Sequence, residues 1–446
     1  MGDLTAETTE LLQTLIRNKC VNDGTVSSGE EIRSVDTLVS YMEGTGLDFQ
    51  RYEPQPGRGS VIARIEGSNP SAPSLMLMGH IDVVPVNPDG WQRDPFGGEL
   101  VDGVVWGRGA VDMLNTTSSM AVAFKELARS GFKPKGTLIF LGVADEEALG
   151  TWGAKWLTEN EADAVRCDYV ITEFGGMRFP LETPGGPKLA VSVGEKGTYW
   201  CLIRVKGTPG HASMPYKTDN ALVKAAEVVR RLHAYRPKTE IHEIWRSFVD
   251  SMSFDPELQK LLLDGDQLDG LIDGLPVGIG RMLEAATHTT FAPTMVQGGV
   301  KTNIIPDTVE LQVDIRTLPG YSHDDVRAQL REALGEMYDE VEIAAFSDDA
   351  SSASPVKTPL WDTLQKVSAT LVPEAVTVPF LIVGATDARY FRRMGITSYG
   401  YGMLSDTISF NDFAQMFHGD DERVDQESLR LATELWVRTA REFLDG

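Results

Sequence analysis

Cysteine is scarce in this chain of 446 residues, with only Cys20, Cys167 and Cys201 present. The three lie far apart and form no CxxC pair, so we expect neither a disulfide framework nor a thiolate metal site. No run approaches the roughly eighteen uninterrupted apolar residues of a membrane-spanning helix. The first residues also lack the basic and then apolar pattern of a secretory signal. These absences predict a soluble, cytoplasmic protein.

Positive charge is also in short supply. The chain has 41 Lys and Arg against 65 Asp and Glu, a formal net charge of −24. Such a surface repels phosphate backbones and anionic lipids, so we expect no nucleic-acid partner and no membrane partner. The hydrophobic content of 42% is ordinary for a globular protein. The length suits two domains rather than one core.

Apolar runs and helical patterns alternate along the first part of the chain. The predicted strands cover residues 60–65, 75–78, 136–143 and 168–172, with helical segments between several of them. Alternating strands and helices predict an α/β fold, with a mixed sheet covered by helices on both faces. We expect this domain to comprise residues 1–193 and 354–446.

The pattern changes near Gly194. Strands are predicted over residues 198–205, 289–296, 309–315 and 341–346, and helices over 220–233 and 324–338. The order βαββαβ predicts a ferredoxin-like α+β domain, inserted at residues 194–353. Within it, an acidic and helix-rich stretch covers about 235–286. We expect this stretch to be a solvated decoration, with a lid over a bulky acyl group as the alternative.

Polar residues that can bind metals follow several of the predicted strands. His80 and Asp82 come directly after one strand and project to the same face of an extended chain. Other candidates stand at strand or loop ends downstream: Asp112, Glu146, Glu147, Glu173 and His418. The carboxyl ends of strands in an α/β sheet converge on one crevice. Such a mixed nitrogen and oxygen set suits Zn²⁺, Mn²⁺ or Co²⁺, and a carboxylate can bridge two ions about 3.5 Å apart.

These residues belong to motifs that resemble the M20 metallopeptidase family, which includes aminoacylases, glutamate carboxypeptidases, succinyl-diaminopimelate desuccinylases and several dipeptidases. The resemblance covers nearly the whole chain. Its main motifs are GHIDVVP at 79–85, GRGAVDM at 107–113, DEE at 145–147, GATDAR at 384–389 and HGDDER at 418–423. Residues 292–301 and the extended inserted domain are more like the carboxypeptidase S and N-acyl-amino-acid hydrolase branch.

The resemblance implies two divalent metal ions, with Zn²⁺ expected and Co²⁺ or Mn²⁺ as alternatives. His80, Asp112 and Glu173 would bind one ion. Asp112, Glu147 and His418 would bind the other, so Asp112 would bridge the two. The family also implies a cis peptide bond after the bridging aspartate.

The resemblance also implies catalytic roles. Glu146 would be the general base acting on a water between the metals. Asp82 would hold the His80 imidazole in the tautomer and orientation that ligation needs. His211 of the inserted domain would stabilise the oxyanion, often from the other subunit of a dimer. We therefore expect the inserted domain to serve as a lid and in dimerisation, with a monomer as the alternative.

Three residues match family positions that bind the substrate: Asn303, Arg316 and Arg389. An arginine fork suits a carboxylate, so we expect a small molecule or short peptide with a free carboxylate. One departure from the family pattern is Leu114, where many members carry lysine. Leu114 leaves the ligand set intact but changes the charge nearby.

The predicted function is therefore metal-dependent hydrolysis of an amide bond beside a free carboxylate. The substrate would be an N-acyl amino acid or the C-terminal residue of a small peptide. Glu rather than Asp at position 173 resembles the aminoacylase, carboxypeptidase and desuccinylase groups. The alternatives are a dipeptidase or aminopeptidase, then a succinyl-diaminopimelate desuccinylase. From a different class, the chain could be a catalytically inactive binding relative, against which the intact ligand set and Glu146 argue.

Overall fold

Nineteen strands carry the fold in the computed structural model, which describes residues 3–181 and 183–445. The outer limits of the predicted domains, residues 1 and 446, lie outside this range. In chain order the strands are β1 (Phe49–Tyr52), β2 (Ser60–Ile65), β3 (Leu75–His80), β4 (Glu99–Val101), β5 (Val104–Trp106), β6 (Leu138–Val143), β7 (Tyr169–Thr172), β8 (Gly175–Arg178), β9 (Lys188–Glu195), β10 (Gly197–Lys206), β11 (Gly210–His211), β12 (Thr290–Gly298), β13 (Ile304–Ile305), β14 (Thr308–Thr317), β15 (Val341–Asp349), β16 (Ser352–Ala353), β17 (Val376–Ile382), β18 (Thr397–Gly400) and β19 (Arg423–Asp425).

Fifteen α-helices accompany these strands in the described residues. They are α1 (Leu4–Asn18), α2 (Ile32–Met42), α3 (Leu114–Arg129), α4 (Ala154–Asn160), α5 (Ala162–Val165), α6 (Ala221–Ala234), α7 (Glu243–Ser251), α8 (Pro256–Leu262), α9 (Gly265–Gly274), α10 (Val277–Thr287), α11 (His323–Leu334), α12 (Pro359–Leu371), α13 (Ala388–Arg393), α14 (Phe410–Met416) and α15 (Gln426–Asp445). None of these helices is long and apolar enough to cross a membrane.

Ten of the strands form one mixed sheet. Along its main path the order is β1-β2-β6-β3-β7-β18-β9-β16, and β8 and β17 also pair with β9. β3 runs parallel to β6 and β7, whereas β2 is antiparallel to both β1 and β6. The predicted mixed α/β sheet is confirmed.

Both faces of this sheet are covered, and β3 shows how. Leu75 and Leu77 belong to the core on one face, whereas Met76 and Met78 belong to the core on the other. Helices α1, α3 and α15 contribute to the first core, and α4 and α13 contribute to the second. Because polar side chains have no place on either face, they collect where the strands end.

A second sheet has four antiparallel strands in the order β12-β14-β10-β15. Helices α6 and α11 pack on it through a separate apolar core that includes Val228 and Leu330. The element order β10-α6-β12-β14-α11-β15 is the predicted βαββαβ arrangement, and the fold class is confirmed. The chain leaves the large sheet after β9 and returns through β16, which pairs with β9. The exact boundaries at 193/194 and 353/354 stay predictions.

One predicted helix is shorter than expected. The helix predicted over 324–338 ends at Leu334 and continues as a 3-10 turn over Gly335–Glu340. Gly335 has a φ of +57°, a left-handed conformation that favours glycine and ends α-helices. The glycine therefore overrides the helical pattern on either side of it.

The stretch 235–286 is helical as predicted, but the expectation of a solvated decoration is wrong. Helix α7 packs against β17 of the large sheet and buries Trp245, Phe248 and Val249. The Phe248 ring meets the Phe179 ring edge-on at a centroid distance of 5.3 Å. These apolar side chains recur at helical spacing, and that periodicity indicates a packed face despite the acidic composition.

This packing predicts a large loss of stability for Phe248→Ala. Phe248 is 4% exposed, so removing its ring should cost about 3–5 kcal/mol of unfolding free energy. The control is Val277→Ala, at a side chain 68% exposed, which should change stability by less than about 0.5 kcal/mol. Urea denaturation followed by tryptophan fluorescence measures both. Equal, small effects would mean that the helical stretch is not part of the core.

Candidate metal centre

Five side chains predicted to bind metal come together at the ends of neighbouring elements. His80 is the last residue of β3, and Glu173 directly follows β7, the parallel neighbour of β3. Asp112 immediately precedes the turn into α3, and Glu147 lies in a short 3-10 turn after β6. His418 follows α14. The convergence expected from the strand pattern is therefore present.

The atoms that could bind metal form two groups. Within each group, these atoms all lie within 4.8 Å of one another. One contains His80, Asp112 and Glu173, and the other contains Asp112, Glu147 and His418. Asp112 Oδ1 lies 3.2 Å from His80 Nε2, whereas Asp112 Oδ2 lies 3.0 Å from His418 Nε2. The two oxygens of one carboxylate thus face two different imidazoles, which is the arrangement that a bridging ligand requires.

The charges of this cluster fit divalent cations. The side chains of Asp112 and Glu147 are each 4% exposed, and that of Glu173 is 6% exposed. Burial, followed by the nearby charge of Asp112, raises the pKa of Glu147 to about 7. Among the described residues, Glu147 Oε1 also has no hydrogen-bond partner. Buried carboxylates need a counter-charge, and a divalent ion supplies it.

Asp82 contacts the His80 ring at Nδ1. Its Nδ1 lies 3.0 Å from the backbone carbonyl oxygen of Asp82 and 3.6 Å from Asp82 Oδ1. A donating Nδ1–H leaves Nε2 free to face Asp112 and Glu173. Asp82 thus lies beside His80 Nδ1, with its backbone carbonyl as the nearer acceptor, and its role in orienting the ring stays a prediction.

The Asp82 carboxylate has a second set of contacts that sequence reasoning did not anticipate. It accepts hydrogen bonds from the backbone N–H groups of Glu146, at 3.3 Å, and Glu147, at 3.1 Å. Asn22 Nδ2 donates to the same carboxylate at 2.9 Å. One buried aspartate therefore links the imidazole of one metal group to the turn that carries Glu146 and a ligand of the other group.

Glu146 lies at the wall of the same site. It follows Asp145, which has a φ of +68°, so the chain turns sharply before it. Burial, followed by the charge of Glu173, raises the pKa of Glu146 well above its usual range. A carboxylate with a raised pKa is the better proton acceptor near neutral pH.

Glu146 and four of the candidate ligands line an open cleft of about 440 Å³; the ligands are Asp112, Glu147, Glu173 and His418. Part of the lining is apolar and consists of Leu149, Phe174, Trp200, Ile382, Val383 and Phe417. Polar side chains also reach the cleft: Thr198, Arg316, Thr386 and Arg389. The cleft therefore combines the metal groups, two cationic side chains and an apolar surface.

The two arginines differ in their hydrogen-bond partners and in the exposure of their side chains. Arg316 Nε and Nη2 contact the Asp314 carboxylate at 2.7 and 3.1 Å, and Nη1 donates to Thr198 Oγ1 at 2.8 Å. Arg389 is 2% exposed and donates to the Thr386 carbonyl at 2.7 Å. Both line the cleft, Arg316 is the more accessible, and their role in substrate binding stays a prediction.

His211 and Asn303 are close to each other but, in the described part of the chain, do not line the cleft. His211 belongs to β11, which pairs with β13, and its side chain is exposed. The Asn303 carbonyl accepts a hydrogen bond from the Ala212 N–H at 3.1 Å. The structure of a single chain thus leaves these two predicted residues outside the site.

Two further expectations concern the turn around Asp112. The Asp112–Met113 peptide bond is cis, as the resemblance implied. Leu114 begins α3 and is 1% exposed within the core of the large sheet. Leu114, which stands where many family members carry lysine, therefore packs in the apolar core.

Sequence reasoning missed two buried groups beneath the metal ligands. Asn22 and Arg58 lie behind Asp82 and Asp145, and Arg108 and Glu422 lie behind Asp112. Arg108 and Glu422 stand inside motifs already noted, so their position was a usable signal. Asn22 and Arg58 stand in no such motif.

The chain belongs to the peptidase family M20/M25/M40, whose model matches residues 76–442. It is therefore a hydrolase that acts on amide bonds.

Relatives and solved structures agree with this assignment. The chain is 27% identical over 375 residues to the probable carboxypeptidase S-like 2 of Dictyostelium discoideum, covering 82% of this chain and 70% of that protein. It is 25% identical over 432 residues to the N-fatty-acyl-amino acid synthase/hydrolase PM20D1 of Xenopus tropicalis, covering 93% of this chain and 82% of that protein. The fold is similar to that of the M20 family metallo-carboxypeptidase Sso-CP2 from Sulfolobus solfataricus, with a TM-score of 0.73, 17% identity and 99% coverage of both chains.

The shared carboxylate predicts that Asp112→Asn removes bound metal from both groups. An amide cannot offer two anionic oxygens, so we expect metal content to fall from about two ions per chain to well below one. Mass spectrometry of the dialysed protein measures it. Asp89→Asn, at an exposed carboxylate, is the control and should keep the full metal content. Retention of both ions by Asp112→Asn would contradict the bridging arrangement.

Proposed function

We propose that the protein hydrolyses the amide bond beside a free carboxylate, in an N-acyl amino acid or at the C-terminal residue of a small peptide. The observation that carries this proposal is the Asp112 carboxylate, whose two oxygens face two imidazoles in a cleft that Arg316 also lines. Relatives named for carboxypeptidase and N-acyl-amino-acid chemistry support it.

The proposed roles follow from position. When bound by the two ligand groups, divalent ions would polarise the scissile carbonyl and acidify a water. Glu146 would accept the proton of that water and deliver it to the departing nitrogen. Arg316, with help from Arg389, would bind the substrate carboxylate, because guanidinium groups match its geometry. Asn303 lies outside the cleft of its own chain and would assist only from a second copy. The apolar part of the lining would exclude water from the reacting atoms.

We further propose that the metal is Zn²⁺, with Co²⁺ or Mn²⁺ able to replace it. Imidazole and carboxylate ligands suit all three ions, and the described residues offer no cysteine ligand at the site. We place the protein in the cytoplasm, because Cys20, Cys167 and Cys201 are buried and unpaired. Unpaired cysteines are typical of reducing compartments.

A substrate panel tests the reaction. Purified protein loaded with Zn²⁺, Mn²⁺ or Co²⁺ is offered N-acyl amino acids, peptides with a free C-terminus, free dipeptides and N-succinyl-diaminopimelate. We expect turnover of the first two classes. Turnover of free dipeptides alone would favour a dipeptidase, and turnover of the succinyl compound alone a desuccinylase. No turnover with both metals bound would favour an inactive binding relative.

The proposed role of Glu146 predicts that its replacement lowers catalysis without changing metal binding. Glu146→Gln should lower kcat at least about 10²-fold, because the amide cannot accept a proton, while the metal content stays unchanged. Steady-state kinetics and metal analysis of the same sample measure both. Glu159→Gln, at an exposed position outside the cleft, is the matched control. Normal turnover by Glu146→Gln would overturn the proposed mechanism.

We also propose that the protein is a homodimer that joins through the inserted domain. β12 is one of the two edge strands of its sheet, and Val296 on this strand is 63% exposed. Other exposed apolar side chains include Met295 on β12, Val300 in the segment after it, and Leu222 and Val223 on α6, which contacts β12. An unpaired edge with apolar side chains is a surface suited to a partner. In this arrangement, His211 would act in the cleft of the second copy.

The proposed dimer predicts that Val296→Lys loses both its dimeric state and part of its activity. The wild type should have a mass of about twice 48.9 kDa by gel filtration with light scattering. The buried lysine charge should shift the variant to single chains and lower its activity, since His211 would no longer reach a second cleft. Val26→Lys, at a side chain 56% exposed elsewhere, should change neither property. A fully active wild-type monomer would contradict the proposal.

A further inference from the structure

A fully buried carboxylate lies directly behind the turn that carries Asp112. Glu422 is 0% exposed, and its Oε1 accepts the backbone N–H groups of Val111 at 2.7 Å and Asp112 at 2.9 Å. Its Oε2 accepts the Gly109 N–H and a guanidinium N–H of Arg108, both at 2.9 Å. Both oxygens are therefore bound to the segment that ends in the shared aspartate.

Arg108 extends these contacts to a second ligand. Its Nη1 binds Glu422, while its Nη2 approaches the backbone carbonyl of His418 at 3.4 Å. The backbone carbonyl of Glu422 in turn accepts the Gly107 N–H at 2.9 Å. The pair thus connects two chain segments that are remote in sequence, one carrying Asp112 and the other carrying His418.

We propose that Glu422 and Arg108 are a positioning pair for the metal centre. They hold the backbone of Asp112 and His418 so that the two aspartate oxygens point to different imidazoles. Neither belongs to the two ligand groups, so the pair would act through the ligands that it places. This inference rests on the proposed function, because it assumes that those groups bind metal.

The chemistry at position 422 explains why a carboxylate is needed. Three backbone N–H groups and a guanidinium converge on it, and all four are donors. A glutamine has the same shape but turns one end into a donor, so at least one buried N–H would face another N–H. The turn contains glycine at 107 and 109, which lets it relax into other conformations once a partner is lost.

A matched pair elsewhere in the chain provides a control. Glu195 and Arg392 form a buried ion pair at 3.0 Å, with side chains 1% and 3% exposed. The Glu195 carboxylate binds Thr386 and Ser352, and within residues 3–181 and 183–445 no hydrogen bond or ion pair joins it to the two metal groups. Loss of either carboxylate should disturb packing, but only Glu422 should affect the ligands.

The test is a metal titration of folded Glu422→Gln in competition with a chelator, without substrate. We expect Zn²⁺ affinity to fall about 10–100-fold, the range for residues that orient metal ligands. Glu195→Gln should keep the wild-type affinity. Folding is checked by circular dichroism. A folded Glu422→Gln with wild-type affinity for both ions would overturn the inference, as would an equal loss in both variants.

A second variant decides the matter if Glu422→Gln does not fold. Arg108→Lys keeps a positive charge beside Glu422 but loses the N–H that reaches His418. We expect weaker binding of one of the two ions, because only the group of Asp112, Glu147 and His418 depends on that contact. Wild-type affinity for both ions would overturn the inference. A wild type that binds two ions but hydrolyses none of the substrate panel would overturn the proposed function and leave the positioning role supported.

Discussion

The Asp112 carboxylate, shared between His80 and His418, is the interaction on which the architecture of the site depends. One oxygen lies 3.2 Å from His80 Nε2 and the other lies 3.0 Å from His418 Nε2. A strand end delivers His80, and a loop more than three hundred residues later in the sequence delivers His418. The fold therefore has to bring two distant segments of the chain together around one buried side chain. Helices cover both faces of the large sheet, so the strand ends are left as the place where these segments meet.

Several carboxylates lie close together in this buried site, and further buried polar groups contact the segments that carry them. Asp82 binds the turn of Glu146 and Glu147, and Asn22 binds Asp82. Behind them, Arg58 pairs with Glu31 at 2.6 Å and with Asp145 at 2.9 Å. Such buried ion pairs contribute little net stability, because desolvation offsets their attraction. Their proposed value here is orientation, because Arg58 contacts Asp145 in the turn that carries the candidate ligand Glu147.

Much of this could be predicted from the sequence, because two strong signals coincide. The continuous apolar run of β3 indicated a strand covered on both faces, and motifs spread along the chain indicated one ligand set. The packing of α7 was missed because acidic composition was weighed above the spacing of Trp245 and Phe248. Asn22 and Arg58 were missed for a different reason: their role comes from tertiary contacts with Asp82 and Asp145, and nothing local in the sequence announces those. The separation of His211 from the cleft is likewise a property of how the two sheets are arranged, which local patterns do not specify.

A crystal structure of the Zn²⁺-loaded protein tests most directly whether the Asp112 carboxylate bridges two ions. Anomalous scattering at the zinc edge locates the ions independently of the protein coordinates. We expect two peaks about 3.5 Å apart, one beside His80 and Glu173 and one beside Glu147 and His418, each near a different oxygen of Asp112. A single peak, or two ions with Asp112 bound to only one of them, would contradict this expectation.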